Sequence, residues 1–217
     1  MKKLLSYIWP LTSNTIDSDT NGKLEIIFYN GKKMLNSKDA NYSYGSLQKI
    51  LEYALSRIEL KEIKHVLLLG LGGGSVIYSL REKFGFNGHI QAVEIDDKMI
   101  SIAKNDFNIS ASQNLTISKY DAYKFVQENN KKQDLIIIDL FINNQVPSQF
   151  YSSFFCENVS KLMNKNGYFI FNLGIKGKMS KKTNEVIRFF KNSPDFETSF
   201  LKNIEKTNNV IIGKKIR

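Results

Sequence analysis

The sequence has few of the residues that crosslink a chain or bind metal. Its single cysteine, Cys156, cannot form an internal disulfide, which excludes a secreted disulfide framework and favours a reducing compartment. Two histidines, His65 and His89, cannot build a usual zinc site even together with that cysteine, so no metal is expected. No stretch reaches the length of about 18 apolar residues that a membrane span needs. These absences predict a cytoplasmic protein without a metal or a membrane partner.

The chain also lacks internal repeats and low-complexity linkers, and we expect no leader peptide. Its first residues, MKKLLSYIWPL, contain Pro10, offer no small-residue cleavage site and run into polar sequence, so we interpret them as part of the fold. With 217 residues, of which 42% are hydrophobic and 24% charged, the sequence is typical of one globular domain with a small appendage.

Positive charge is concentrated at one end of the chain. The formal net charge is +10, yet residues 1–160 carry a net +1 and residues 161–217 carry a net +9. A basic quarter of this kind fits an anionic partner, such as nucleic acid, anionic lipid or an acidic substrate. It is also typical of a solvated lysine surface, because the lysines are scattered without an arginine cluster or an aromatic platform. Both interpretations stay open.

From Lys61 onward, apolar runs alternate with amphipathic segments. The runs that predict strands are 65–70, 89–95, 115–119, 134–141 and 168–173, and the segments that predict helices are 75–84, 96–107, 121–129, 148–165 and 181–192. We expect the helix predicted over 148–165 to end at Asn166-Gly167. Two more strands, 196–204 and 209–216, follow each other without a helix and predict a hairpin-like return. The pattern predicts an α/β fold with a doubly wound, seven-stranded, mostly parallel sheet.

Before Lys61 the apolar periodicity is two, which is typical of strands. Residues 23–35 predict a β-hairpin around Asn30-Gly31, a strong signal for a two-residue turn. A helix is predicted over residues 44–58, with its apolar residues on one face. We therefore expect residues 1–44 to form a small N-terminal β-hairpin appendage and residues 45–217 to form the main domain.

Glycines cluster where the first predicted strand of the main domain meets its helix. Gly70, Gly72, Gly73 and Gly74 lie within five residues, and glycine there lets the chain turn sharply and lets a ligand approach the backbone. Glu94 ends the next strand, 20 residues after Gly74. At that spacing its carboxylate can accept both ribose hydroxyls of a nucleoside, which makes the pair a candidate nucleotide site.

Two aspartates follow the next strands at the same edge of the predicted sheet. Asp121 would either accept a hydrogen bond from an adenine amino group or cap the helix that it precedes, and these alternatives stay open. Asp139 ends the apolar run 135–138, where open α/β sheets bind ligands. Partial burial would raise its pKa and suit it to accept a proton, whereas a structural aspartate would only cap backbone amides.

Together these motifs resemble a known family. HVLLLGLGGGSV, AVEID, YDAYKFV, DLIIIDLF and GYFIFNL are similar to the class I S-adenosylmethionine-dependent methyltransferases, and within that Rossmann-like fold to the spermidine-synthase-like branch. The resemblance implies that the glycine loop, the ribose-binding acid and the adenine-binding acid hold S-adenosylmethionine or its decarboxylated form. Residues implied in cofactor binding are Gly70, Gly72, Gly74, Glu94, Ile95, Asp121 and Ala122. Asp139 matches the proposed catalytic base of the family.

The sequence departs from spermidine synthases at positions that would bind ammonium groups. Gly73 replaces an aspartate of the glycine loop, Ile142 and Asn143 stand where an aspartate and a proline are usual, and a His-Glu pair is missing around 42–44. Ordinary S-adenosylmethionine keeps its carboxylate and needs these acids less than a decarboxylated donor does. Methyl transfer to an unidentified small-molecule acceptor is therefore favoured over polyamine-type aminopropyl transfer.

Several alternatives remain at this point. The glycine pattern with Glu94 also approaches the fingerprint of nicotinamide-dependent oxidoreductases, against which Asp139 and the terminal strand return argue. A non-catalytic protein that retains a nucleoside pocket and binds an anionic partner through its basic quarter is a second alternative. We further expect Phe141, Tyr42 and Tyr44 to flank the acceptor. The oligomeric state is left open, with a homodimer as one alternative.

Overall fold

The computed structural model describes residues 2–37, 41–142, 145–175 and 181–217. The strands are β1 Leu11–Ser18, β2 Gly22–Tyr29, β3 Lys32–Ser37, β4 Asn41–Ser43, β5 His65–Leu69, β6 His89–Glu94, β7 Leu115–Lys119, β8 Gln133–Ile138, β9 Met163–Ile175, β10 Phe196–Ile204 and β11 Asn208–Lys215. The helices are α1 Lys2–Leu5, α2 Ser46–Leu55, α3 Ser75–Tyr78, α4 Asp97–Phe107, α5 Ala122–Glu128, α6 Ser153–Leu162 and α7 Lys181–Asn192. A π-helical turn, Ser79–Lys83, prolongs α3, and a 3-10 turn, Ser148–Tyr151, precedes α6.

The large sheet has the predicted seven strands, in the order β10-β11-β9-β8-β5-β6-β7. β11 runs antiparallel to both of its neighbours, whereas the pairs from β9 to β7 are parallel. The central strands β5 and β8 are buried over almost their full length because helices cover both faces of the sheet, which explains their continuous apolar sequence. The predicted α/β class, strand number and antiparallel return are confirmed.

The N-terminal segment forms more than the predicted hairpin. β2 and β3 pair around Asn30 and Gly31, whose φ angles of 48° and 73° suit the primed turn that the dipeptide predicts. However, β1 and β4 extend this hairpin to a four-stranded antiparallel sheet. The prediction missed β1 because its sequence, LTSNTIDS, is largely polar, and the strand forms by pairing with β2 rather than by burying an apolar face of its own. The domain boundary at 44/45 stays a prediction.

The predicted helix over 148–165 is wrong at both ends. The Ser152 side chain accepts a hydrogen bond from the Phe155 amide and starts α6, so residues 148–151 form only a 3-10 turn. The helix ends at Leu162, and β9 begins at Met163, which pairs with Gln133 of β8. Asn166, with φ of 65°, accommodates an irregular pairing inside β9, and the Asn-Gly dipeptide therefore does not end the helix.

The N-terminal sheet is attached to the large domain beside the start of α4. Leu24, Ile26 and Leu35 form a buried cluster with Met99 and Ile102 of α4. Next to this cluster, the side chains of Ser18 and Asn21 donate hydrogen bonds to Asp96, which also caps α4 by accepting the Lys98 amide. Because all three side chains are buried, the β1–β2 turn is held at the edge of the sheet where β6 ends.

None of the helices in the described ranges combines the length and the apolar character that crossing a bilayer requires.

Candidate functional site

A cavity opens at the edge of the large sheet where β5, β6, β7 and β8 end. The open space of this cavity, with its mouth included, amounts to about 870 Å³. The carboxyl edge of an open α/β sheet is where such folds bind their ligands. The predicted site residues that line it are Gly70, Gly72, Glu94, Ile95, Asp121, Ala122 and Asp139.

The glycine loop turns sharply because its glycines adopt conformations that other residues avoid. Gly70 has a φ of 92°, and a Cβ there would lie 2.2 Å from the backbone oxygen of Asp139. Gly74 has a φ of 82° and begins α3, and a Cβ there would lie 2.6 Å from Ile109. Gly74 does not line the cavity, so its place in the structure is the turn into the helix rather than the cavity wall.

Glu94 joins the glycine loop to the end of β6. Its Oε2 accepts the amides of Leu71 (3.0 Å) and Gly72 (3.3 Å), while Oε1 accepts those of Ile95 (2.9 Å) and Asp96 (3.1 Å). These four bonds use the roughly four acceptor positions of a carboxylate. Burial raises the pKa of Glu94, and the amide bonds oppose that increase. The carboxylate therefore fixes the loop in place while it lines the cavity.

Asp121 caps a helix and lines the cavity at the same time. Its Oδ1 accepts the amides of Tyr123 (2.7 Å) and Lys124 (3.2 Å) at the start of α5, as the capping alternative predicted. Within the described residues, Oδ2 makes no hydrogen bond and is available to a ligand. The two alternatives considered for Asp121 are therefore compatible in this geometry.

Asp139 is the carboxylate on the β8 side of the cavity. Its Oδ1 accepts the Nδ2 group of the fully buried Asn172 at 2.9 Å, and the Oδ1 of Asn172 in turn accepts Nδ2 of Asn208 at 2.9 Å. Burial raises the pKa of Asp139 to about 6, against the opposing effect of the Asn172 bond. An asparagine pair on β9 and β11 thus holds one oxygen of Asp139, whose other oxygen has no partner within the described residues.

The strand order separates the three carboxylates of the cavity. Because β5 lies between β6 and β8, Glu94 and Asp121 are on one side of the glycine loop and Asp139 is on the other. The remaining described lining residues are uncharged, and Ile95, Tyr120 and Ile142 expose 38–47% of their surface there. Such exposed apolar side chains beside a few fixed polar groups are typical of a ligand site.

Phe141 and Tyr44, which were both predicted to flank the acceptor, do not lie in the same place relative to the cavity. Phe141 lines the cavity, as does Ile142 beside it. Tyr44 does not: its ring stacks on Phe107 at 4.6 Å between centroids and meets Tyr78 edge-on, so that prediction is wrong. Two other positions named in the sequence analysis lie outside the described residues, namely the side chain of Tyr42 and the whole of Asn143. The same holds for Lys176 and Lys178 of the basic quarter, residues 161–217.

Sequence reasoning missed the contribution of the N-terminal sheet to the cavity. Thr20 and Asn21, in the β1–β2 turn, line it. The available signal was Asn21-Gly22, a second Asn-Gly turn dipeptide ahead of the predicted hairpin. Asn172 was missed as well, although a lone asparagine within the apolar strand YFIFNL already indicated a polar contact in the core.

Comparisons with known proteins agree with this geometry. A family profile described as spermine/spermidine synthase domain matches residues 49–212. The polyamine aminopropyltransferase of Vibrio vulnificus (strain CMCP6) is 29% identical over 112 residues, which are 50% of this chain and 37% of that protein. The eEF1A lysine and N-terminal methyltransferase of Xenopus laevis is 29% identical over 118 residues, 50% of this chain and 17% of that protein. The chain thus matches well under half the length of these relatives.

Solved structures show the same fold. A probable spermidine synthase from Corynebacterium glutamicum ATCC 13032 superposes with a TM-score of 0.72 at 14% identity, covering 94% of this chain and 80% of that one. Human methyltransferase-like protein 13, solved in complex with SAH, gives a TM-score of 0.62 at 24% identity, covering 79% and 82%. Because the family profile spans residues 49–212 of 217, the chain belongs to the spermine/spermidine synthase domain family, within the class I methyltransferase fold.

Proposed function

We propose that the chain is an S-adenosylmethionine-dependent methyltransferase that modifies a small acceptor held at Asp139. The observation that carries this proposal is the single cavity in which the glycine loop, Glu94 and Asp121 face Asp139 across the end of β5. Relatives with the same fold include a protein solved in complex with SAH, the thioether that methyl transfer from S-adenosylmethionine leaves. The relatives include both a methyltransferase and a polyamine aminopropyltransferase. The proposal therefore has to choose between a methyl group and an aminopropyl group as the group that is transferred.

The residues present fit the donor on the Glu94 side of the cavity. Oδ2 of Asp121 is available as an acceptor for an adenine amino group, and Ile95 and Tyr120 offer apolar surface for a flat base. Glu94 would accept ribose hydroxyls in place of its two longest bonds, those from Gly72 and Asp96. The displaced Gly72 amide would then face the ligand. This exchange would couple donor binding to the conformation of the glycine loop.

The acceptor side favours methyl transfer. Asp139 is followed by three apolar lining residues, Leu140, Phe141 and Ile142, and no second carboxylate of the described residues lies on this side. A polyamine acceptor carries several ammonium groups, and each one buried without a partner would cost several kcal/mol, of order 5. Aminopropyl transfer remains the second candidate, because three carboxylates and no lysine or arginine line the described cavity and because polyamine aminopropyltransferases are among the relatives.

The chemistry needed from the chain is modest. When bound, S-adenosylmethionine supplies a methyl group that is already activated by its positive sulfur. The chain has to orient the acceptor in line with that group, and well-oriented reactants alone account for roughly 7–11 kcal/mol of a barrier. Asp139, with a pKa of about 6, is ionised at neutral pH and can receive the proton that the acceptor loses.

Calorimetry tests the proposal. The protein is titrated in parallel with S-adenosylmethionine, its decarboxylated form and NAD. We expect S-adenosylmethionine to bind at least about tenfold more tightly than the decarboxylated form and NAD not to bind. The reverse order of the two sulfonium compounds would establish aminopropyl transfer instead, and binding of NAD alone would overturn both. Tight donor binding without turnover on any acceptor would indicate a non-catalytic nucleoside-binding protein.

A further inference from the structure

Residues 4–9, which we call the N-terminal apolar segment, expose large apolar side chains far from the cavity. The side chains that are between 50% and 84% exposed are those of Leu4, Leu5, Tyr7, Ile8 and Trp9. Single exposed apolar residues are normal on a protein surface, but a group of them marks a surface that contacts another molecule or a membrane.

The segment is fixed to the N-terminal sheet through Ser6, which is 1% exposed between its exposed neighbours. The Ser6 carbonyl oxygen accepts the Asn30 amide and the Ser6 Oγ accepts the Gly31 amide, both at 3.0 Å. The Tyr7 ring occupies the space that a Cβ at Gly31 would need. The segment therefore covers the turn between β2 and β3 in a defined position.

Its apolar side chains belong to one compact turn. The amides of Ile8 and Trp9 both donate to the Leu5 carbonyl oxygen, at 3.0 and 3.2 Å, so the chain after α1 folds back on the helix. Tryptophan and tyrosine have an apolar ring with one polar group, and both are enriched where a membrane meets water. The residue types of the segment thus fit the headgroup layer of a bilayer.

The charge around the segment is positive. Lys3 in α1 and Lys32 beside the turn are exposed, and residues 2–16 contain no acidic residue. Lys33 is paired with Asp106 at 3.1 Å and adds no net charge. Lysines beside exposed apolar side chains complement a bilayer with anionic lipid. They oppose a symmetric contact between two copies of the chain, because each patch would meet the same positive charges.

We propose that the N-terminal apolar segment docks onto the surface of a bilayer that contains anionic lipid. Ile8 and Trp9 enter the headgroup layer, and Lys3 and Lys32 face the anionic groups of the lipids. The absence of a spanning stretch led us to predict no membrane partner, but a reversible surface contact of this kind needs only a few apolar side chains.

Docking in this way leaves the cavity accessible. The β1–β2 turn, with Thr20 and Asn21, lines the cavity at one end of β2, and the N-terminal apolar segment covers the turn at the other end. The eight residues of β2 separate the two ends by roughly 24 Å. Lipid binding and donor binding are therefore expected to be independent.

Trp9 is the only tryptophan of the sequence, so its fluorescence reports on the segment without any substitution. The protein is titrated, at about 0.15 M salt, with vesicles of phosphatidylcholine alone and with vesicles that contain about one third phosphatidylserine. We expect the anionic vesicles to shift the emission to the blue, to protect Trp9 from acrylamide and to bind at least about tenfold more tightly.

Three results of this titration would overturn the proposal. The first is an emission that neither vesicle changes, and the second is equal binding to both compositions. The third is a blue shift that appears with rising protein concentration in the absence of lipid, together with a dimer in sedimentation. That result would show that a second copy of the chain covers the segment.

Leu4→Ser with Ile8→Ser tests the apolar contribution and keeps Trp9 as the probe. We expect binding to the anionic vesicles to weaken at least about tenfold, because the two most exposed aliphatic side chains of the segment are removed. Tyr53→Ser with Phe154→Ser is the matched control, since it removes two exposed aromatic side chains from α2 and α6. Equal weakening in both double variants would contradict the proposal.

Lys3→Glu with Lys32→Glu tests the charge contribution. It should weaken binding to the anionic vesicles at least about tenfold and leave the affinity for S-adenosylhomocysteine unchanged. Lys181→Glu with Lys182→Glu makes the same change of charge at exposed positions of α7 and should bind as the parent protein does. If only the reversal in α7 abolishes binding, the basic quarter contacts the lipid and the proposal is wrong.

Discussion

At the scale of single residues, the three carboxylates that line the described cavity also hold parts of the fold in place. Glu94 holds the glycine loop, Asp121 caps α5, and Asp139 is held by Asn172. A substitution at any of them therefore changes stability as well as binding. Measurements of both quantities on the same variant are needed to separate the two roles.

Glu94→Gln tests the double role of that residue. The amide of glutamine would place an NH₂ group against two of the four backbone amides that the carboxylate now accepts. We expect a loss of about 1–3 kcal/mol in the free energy of unfolding and at least a tenfold loss of S-adenosylhomocysteine affinity. Urea unfolding and calorimetry on the same preparation measure the two effects. If stability falls and affinity does not, Glu94 only holds the loop.

Asn172→Ala tests whether the asparagine pair sets the ionisation of Asp139. Because the pKa of Asp139 is raised to about 6 in the folded protein, the folded state keeps a proton between about pH 4 and pH 6 that the unfolded chain has lost. The contribution of Asp139 to the free energy of unfolding therefore falls as the pH rises through that window. Asn172→Ala removes a bond that lowers this pKa, and the fall should extend above pH 6. Asp139→Asn should abolish it.

Urea unfolding from pH 4 to pH 8 measures this difference, with each profile compared with that of Asp139→Asn so that other titrating groups cancel. Asn158→Ala is the matched control, because Asn158 is also a buried asparagine but donates to Phe154 within α6. Identical pH profiles for Asn172→Ala and the parent protein would show that Asn172 has no influence on Asp139.

At the scale of elements, the close approach of the ends of β5 and β8 shapes the cavity. Gly70→Ala would place a Cβ 2.2 Å from the Asp139 backbone oxygen, whereas Gly85→Ala would introduce a Cβ with nothing within 4 Å. Both glycines have positive φ angles, 92° and 64°, so both substitutions carry conformational strain of about 1–2 kcal/mol. We expect Gly70→Ala to cost at least about 2 kcal/mol more, measured by urea unfolding. Equal costs would mean that the two strand ends separate easily.

The sequence predicted best those elements whose conformation depends mainly on their own residues. β5 and β8 are continuous apolar runs, and the Asn30-Gly31 turn requires positive φ angles that few other pairs adopt. In contrast, β1 exists through its pairing with β2, and the start of β9 depends on its register with β8. Such partner-dependent elements carry little local signal.

The candidate site likewise contains residues that the sequence could place and residues that depend on contacts with other elements. Residues at or just beyond the ends of strands, such as Glu94, Asp121 and Asp139, were placed at one sheet edge by strand order alone, and they line one cavity. Thr20 and Asn172 could not be placed in this way. The first reaches the cavity through the packing of a separate sheet, and the second approaches Asp139 because β8 and β9 are neighbours, a contact that spans 33 positions of sequence.

At the scale of the whole molecule, several of the described lysines among residues 161–217 contact other parts of the fold. Lys202 and Lys214 lie over the rings of Phe200 and Tyr168, and Lys215 donates to backbone oxygens near the end of α6. We therefore expect no binding of double-stranded DNA or heparin at 0.15 M salt, where the Debye length is about 8 Å. Binding at that salt concentration that is lost in Lys181→Glu with Lys182→Glu would establish the anionic partner instead.

The proposed function requires one cavity to hold an adenosyl donor between Glu94 and Asp121 and to direct it towards Asp139. A crystal structure of the protein grown with S-adenosylhomocysteine shows whether the donor binds in this way. We predict ribose hydroxyls within hydrogen-bond distance of Glu94, the adenine amino group at Asp121, and the sulfur atom facing Asp139. A ligand bound elsewhere, or in this cavity with its adenine beside Asp139, would rule out this mode of donor binding.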